Sequence, residues 1–191
     1  MALKRFVIDG FGQLELNQVV FPRDGNVEAQ CALDATDFAS VPAENGMLLA
    51  IDRVNRKVKF AADDSMPIAL NYTTEHMYDE RKPGLKNFCL YPEQNKLGFE
   101  SYVYPRLGYL AVGDKFNTNC LCYDTNEFAN DAAVDTALEA VDTTPVYGGI
   151  SSLGAIRLSL TAPVDGPVLV ARWADTMPDG QNSVAFVCVK A

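Results

Sequence analysis

The feature that most restricts this chain is a period of two in its hydrophobic residues, broken at short intervals by Gly, Pro, Asn and Asp. Ile156, Leu158 and Leu160 alternate with Arg157, Ser159 and Thr161, and Leu14 and Leu16 alternate with Gln13 and Glu15. Successive side chains of an extended backbone point to opposite faces, so this pattern builds half-buried strands. The same reading gives strands over residues 5–9, 13–16, 27–33, 47–51, 57–61, 67–72, 86–92, 102–112 and 116–123. Residues 47–51 and 57–61 form the clearest hairpin, with Arg53-Val54-Asn55-Arg56 as its polar turn. The closing segments 168–173 and 183–190 place apolar residues consecutively, which predicts strands covered on both faces.

One segment breaks the pattern. Over residues 130–141, Val134, Leu138 and Val141 recur at helical spacing behind a candidate N-cap, Asn130. Asp131, Asp135 and Glu139 line a separate face four residues apart, where like charges oppose the helix slightly. Packing of the apolar face must therefore hold it. The expected fold is mainly β, a sandwich or barrel-like arrangement with this one short helix and long loops. A single domain over residues 1–191 is expected, with subdivision near 83–86 or 143–150 as the alternative, because both carry turn chemistry.

Composition narrows the class. With 191 residues the chain can bury one good core, and 48% hydrophobic content argues against general disorder. Twenty-five acidic against 16 basic side chains leave a net charge of −9, unlike an electrostatic nucleic-acid binder. No apolar run approaches a membrane-spanning length, and the apolar stretch after Lys4-Arg5 is too short for a secretory leader, so the chain is expected to stay where it is made. Charge is uneven: residues 1–60 hold 7 basic and 8 acidic side chains, whereas residues 114–191 hold 4 and 10. Cys31, Cys89, Cys120, Cys122 and Cys188 are odd in number and dispersed among apolar neighbours. They read as buried, inert thiols, not as a disulfide framework.

Catalytic signatures are sparse. His76 is the one histidine, so a nucleophile–His–acid arrangement would have to use it, with Cys89 or Ser151 brought near by the fold. Gly149-Ile150-Ser151-Ser152-Leu153-Gly154 resembles a nucleophile elbow, but its glycine spacing is wrong. Asp124-Thr125-Asn126 opens like a calcium loop, yet Ala129 stands where glycine is required and Asp135 where glutamate is usual. Phosphate-cradling glycine patterns are absent. The reading is a protein without a catalytic centre, a metal site or a cofactor.

Three groups of residues suit a contact surface instead. Arg53, Arg56, Lys57 and Lys59 make the most basic stretch, as either a solvated hairpin tip or a contact for an acidic partner, including another copy. Residues 72–88 mix Tyr72, Tyr78 and Arg81 with Met and Phe, without strand or helix periodicity. Tyr102, Tyr104, Arg106 and Tyr109 form a further such zone with Phe116. Tyr, Phe, Met and Arg are enriched at protein interfaces, though they also build cores.

Several of these tracts carry a likeness to known proteins. Asn71-Tyr72-Thr73-Thr74-Glu75, Tyr78-Asp79-Glu80, Lys82-Pro83-Gly84-Leu85-Lys86, Pro105-Arg106-Leu107-Gly108-Tyr109 and Val112-Gly113-Asp114-Lys115-Phe116-Asn117-Thr118-Asn119 resemble small structural proteins of tailed bacteriophages. Those proteins are encoded beside the major capsid protein and are thought to decorate the head. The resemblance covers roughly residues 65–150 and carries over no functional residue. It implies a virion protein, made in the host bacterial cytoplasm, that binds the major capsid shell and also itself, as in a trimer at three-fold positions. A tail-tube or head–tail connector subunit is the alternative within that class. A carbohydrate-binding β-sandwich, with Tyr102, Tyr104, Tyr109 and Trp173 as stacking platforms, is the alternative outside it.

Overall fold

The computed structural model describes residues 2–6, 10–73, 89–92, 104–177 and 180–191. In chain order they give β1 (Leu3–Arg5), β2 (Leu14–Gln18), the one-turn helix α1 (Phe21–Asp24), β3 (Val27–Glu28), β4 (Ala32–Leu33), β5 (Ala43–Glu44), β6 (Leu48–Asp52), β7 (Lys57–Phe60) and β8 (Ile68–Asn71). Then follow β9 (Cys89–Leu90), β10 (Leu107–Gly108), β11 (Lys115–Thr118), β12 (Leu121–Asp124), helix α2 (Asp131–Glu139), β13 (Tyr147–Gly149), β14 (Ile156–Ser159), β15 (Val168–Thr176) and β16 (Asn182–Lys190). The fold is mainly β, as the alternation requires, and no barrel closes.

Eight strands form one sheet in the order β1-β12-β14-β13-β15-β16-β11-β2. Strands β11 and β12 are consecutive in the chain, separated by Asn119 and Cys120, yet they stand near opposite ends of that order. In a flat sheet they would lie about 24 Å apart, at roughly 4.8 Å per strand. Three peptide units from Thr118 to Leu121 span at most about 11 Å. The sheet must therefore coil until its ends nearly meet, in the sense its strand twist favours. The edge strands β1 and β2 flank the remaining gap. On one side of it the Phe6 amide continues the β1–β12 pairing by donating to the Leu121 carbonyl at 3.0 Å; on the other, beside β2, the Gln13 amide donates to the Asn119 side chain at 2.7 Å and the Gln13 carbonyl accepts the Thr118 hydroxyl at 2.6 Å.

A second sheet, β3-β10-β8-β6-β7-β4, contains the expected hairpin: β6 and β7 pair antiparallel with Leu49 opposite Phe60 and Ile51 opposite Val58. All five residues of β6 are buried. Leu48 and Ala50 join one hydrophobic cluster and Leu49 and Ile51 another, so the strand is covered on both faces. Both clusters also draw on the eight-stranded sheet, through Leu121 and Tyr123 in the first and Cys120 and Cys122 in the second. The two cysteines share one face, as their spacing predicts. A two-stranded sheet, β5-β9, completes the set.

Helix α2 begins where the sequence places it. The Asn130 side chain accepts the Ala133 amide at 3.0 Å, and Val134 and Leu138 are buried. Several other strands are shorter than alternation suggests, whereas β15 and β16 run past the expected 168–173 and 183–190, and β15 is exposed over residues 172–174 instead of covered on both faces. Residues 27–33 divide into β3 and β4, residues 116–123 into the bent pair β11 and β12, and residues 102–112 yield only β10 among those described. Helix α1 carries proline at its start, and Gly25 ends it in the left-handed conformation at φ 72°. Beside it Gly108 is required for another reason: a Cβ there would strike the Phe21 ring. Among the described residues no helix is long and apolar enough to cross a membrane.

Candidate interaction surface

The basic stretch forms the tip of the β6–β7 hairpin. The Asp52 carboxylate fixes the turn by accepting the Asn55 amide at 2.9 Å and its side-chain NH2 at 2.8 Å. Those bonds, with Lys59 at 3.8 Å, hold the Asp52 carboxyl below the usual carboxylate range. Arg56 sits at φ 54°, a left-handed conformation that side chains rarely adopt. Val54 projects from the tip with 92% of its surface exposed.

Two separately singled-out groups meet at this tip. The Arg53 guanidinium donates to the Tyr109 hydroxyl at 2.9 Å and lies 5.5 Å from the centre of its ring. A cation over a phenol ring is attracted by the ring's negative face. Arg56 donates to the Gln30 carbonyl at 3.3 Å. Neither arginine pairs with a carboxylate among the described residues, so the tip presents net positive charge.

The other candidates separate. Tyr72 is buried, with its ring 4.9 Å from that of Phe21, and belongs to the core. Arg106 is exposed while its backbone amide donates to Thr73 Oγ1 at 2.8 Å. Tyr104 and Trp173 are each about half exposed, and the Trp173 indole donates to Asp175 at 3.2 Å. Lys57 is half-buried on β7. Tyr78, Arg81, Tyr102 and His76 lie outside the described residues.

Among the described residues, the groups weighed for catalysis are buried or bonded within turns. All five cysteines are free and buried. Burial pushes the Cys89 and Cys120 thiols up to about 12 and the Cys188 thiol to about 11, so none is a thiolate near neutrality. The Ser151 hydroxyl donates to the Ala155 carbonyl and accepts the Leu153 amide at 3.3 Å, which closes the 151–155 turn. The Asp124 carboxylate accepts the Asn126 amide at 3.0 Å. Among the described residues no His, Cys, Asp or Glu side chains group in threes within reach of one metal ion.

One feature escaped sequence reasoning altogether. A cleft of about 330 Å³ opens between α2 and the β15–β16 hairpin, floored by Phe6, Leu121, Leu138 and Val184 and edged by Asp135 and Glu139. The four-residue spacing of the acids was legible; the cleft beneath them depends on strands far away in sequence. Comparison with protein-family models, with curated proteins and with solved structures returned no match.

Proposed function

We propose that this chain is a structural subunit of a tailed-phage particle, a decoration protein that binds the major capsid shell and stabilises it, and not an enzyme. The observation that carries the reading is the surface on which Arg53 lies against Tyr109. It joins a basic hairpin to one of the tracts on which the resemblance to phage structural proteins rests. Arg and Tyr contribute contact area together with a polar tip, which suits them to protein interfaces. The buried thiols and the structural use of Ser151 are consistent with a protein that works by contact.

On a shell, many copies of a modest contact hold firmly together when each copy also touches its neighbours. The reading is tested with purified particles prepared with and without this protein. Decorated shells should resist heat or chelator better, and electron microscopy should locate the added density across seams between shell subunits. Equal resistance, with the protein missing from the shell fraction, rejects the reading.

A tail-tube or connector role has one observation in its favour. The eight-stranded sheet is open and ends on β2, where Leu16, Asn17 and Gln18 are exposed, an edge to which another chain can add a strand. Isolated rings or tubes of the pure protein in micrographs would favour that role over decoration.

A further inference from the structure

The hairpin tip and the α2 cleft are complementary in charge. The tip offers two guanidinium groups without carboxylate partners on either side of Val54, an apolar side chain almost wholly in solvent. The cleft offers an apolar floor and three carboxylates: Asp175 accepts from Asn117 and Trp173, while Asp135 and Glu139 form no ion pair or hydrogen bond among the described residues. Burial, and after it the like charges of Asp131 and Glu139, raise the Asp135 carboxyl above the ordinary range. An arriving cation relieves that repulsion. Such a site lacks only a counter-charge.

We propose that the Arg53–Arg56 hairpin tip of one copy of this chain docks in the cleft between α2 and the β15–β16 hairpin of a second copy. Val54 enters over Phe6, Leu121, Leu138 and Val184, and the flanking arginines meet Asp135 and Glu139. Asp52 already holds the turn in shape, so little ordering remains to oppose binding. Tip and cleft are different surfaces, so the contact is head-to-tail and propagates into a ring or an open chain. The inference stands without the virion reading, and a tip seated in a second copy is not at the same time free to meet a shell.

The test is the mass of the full chain in solution, by analytical ultracentrifugation across concentration and salt. The wild-type mass should rise with concentration at low ionic strength and fall as salt screens the contact. Two charge-reversed variants are compared with it: Asp135→Lys with Glu139→Lys, and Arg53→Glu with Arg56→Glu. Each alone should associate on the order of tenfold more weakly or worse, because its tips and clefts now repel. An equimolar mixture should associate again, since tips of the first variant meet clefts of the second and the reversed pair also attracts.

Circular dichroism checks that each variant is folded. Should the lysine variant unfold, Asp135→Asn with Glu139→Gln replaces it and should weaken wild-type association without changing the shape of the cleft. A wild type that stays monomeric at every concentration overturns the proposal and leaves the cleft to a basic segment of another protein. So does association that survives in both variants, or folded variants that stay apart when mixed.

Discussion

Arg5 and Glu44, 39 residues apart in the chain, meet in an ion pair of 2.7 Å that ties the edge of the eight-stranded sheet to β5. The same Glu44 oxygen accepts the Gly12 amide at 2.6 Å, and the other Arg5 nitrogen reaches Cys120 Sγ at 3.3 Å. Glu44 is buried and Arg5 only partly so, and removing either leaves the other uncompensated. Glu44→Ala should cost about 3 kcal/mol, the lower end for a broken buried pair, given the access of water to Arg5. Replacing both with apolar residues should cost less than replacing Glu44 alone. Urea unfolding of the two variants measures the difference.

The Arg5–Glu44 pair also marks how far the sequence was legible. Hairpin β6–β7 and helix α2 could be read directly, because alternation, turn residues and an N-cap act within about a dozen positions. The coiling of the large sheet could not be read: residues 116–123 are strand-like throughout, and the bend at Asn119–Cys120 exists because distant strands claim each half. Composition singled out both Arg53 and Tyr109 but said nothing of their meeting. Tyr72 shows the opposite limit, since aromatic character suits an interface and a core equally and here Phe21 claims the ring.

The buried thiols make stability sensitive to alkali. Cys89, Cys120 and Cys188 titrate at about 12, about 12 and about 11 in the fold, above the ordinary thiol value of 9.0, chiefly because burial penalises the thiolate. Their contribution is complete below the unfolded value and is lost as pH rises through the folded ones. The urea midpoint should therefore fall as pH rises above about 9. Thiol-reactive dye should label the native protein slowly and the urea-unfolded protein rapidly.

Asp135 shifts in the opposite direction to Asp52, Asp131 and Asp175, whose carboxyls are lowered. Burial, then Asp131 and Glu139, raise its pKa, so its favourable contribution is present at acid pH and lost as pH rises. At neutral pH Asp135→Asn should stabilise the dilute protein by about 0.5 kcal/mol, from two like-charge pairs on one helix. That advantage should shrink as the solution is acidified and wild-type Asp135 takes up its proton. Thermal melts of the two proteins at neutral and acid pH give the difference.

Close approach between α1 and β10 can be tested at one atom. Gly108→Ala places a methyl group into the Phe21 ring and should cost about 2 kcal/mol, as overpacked cores do. Phe21→Leu alone costs core area, and combined with Gly108→Ala it should cost less than the two single changes added. A double-mutant cycle by urea unfolding reads the coupling; strict additivity would mean that Gly108 is glycine for some other reason.

The Arg53–Tyr109 pair should matter for contact and hardly at all for folding. Arg53 is fully exposed, so water screens its attraction to the ring and its hydrogen bond exchanges readily with solvent. Tyr109→Phe keeps the ring under the guanidinium and removes only the hydroxyl that accepts its hydrogen bond. Arg53→Ala removes the charge as well. Both variants should melt with the wild type. If the tip is a docking element, Arg53→Ala should lose association strongly and Tyr109→Phe weakly, because the free guanidinium carries the charge while the tyrosine only orients it. Equal losses in the two variants would place the importance in the orientation of the arginine, and no loss in either would remove Arg53 from the interface.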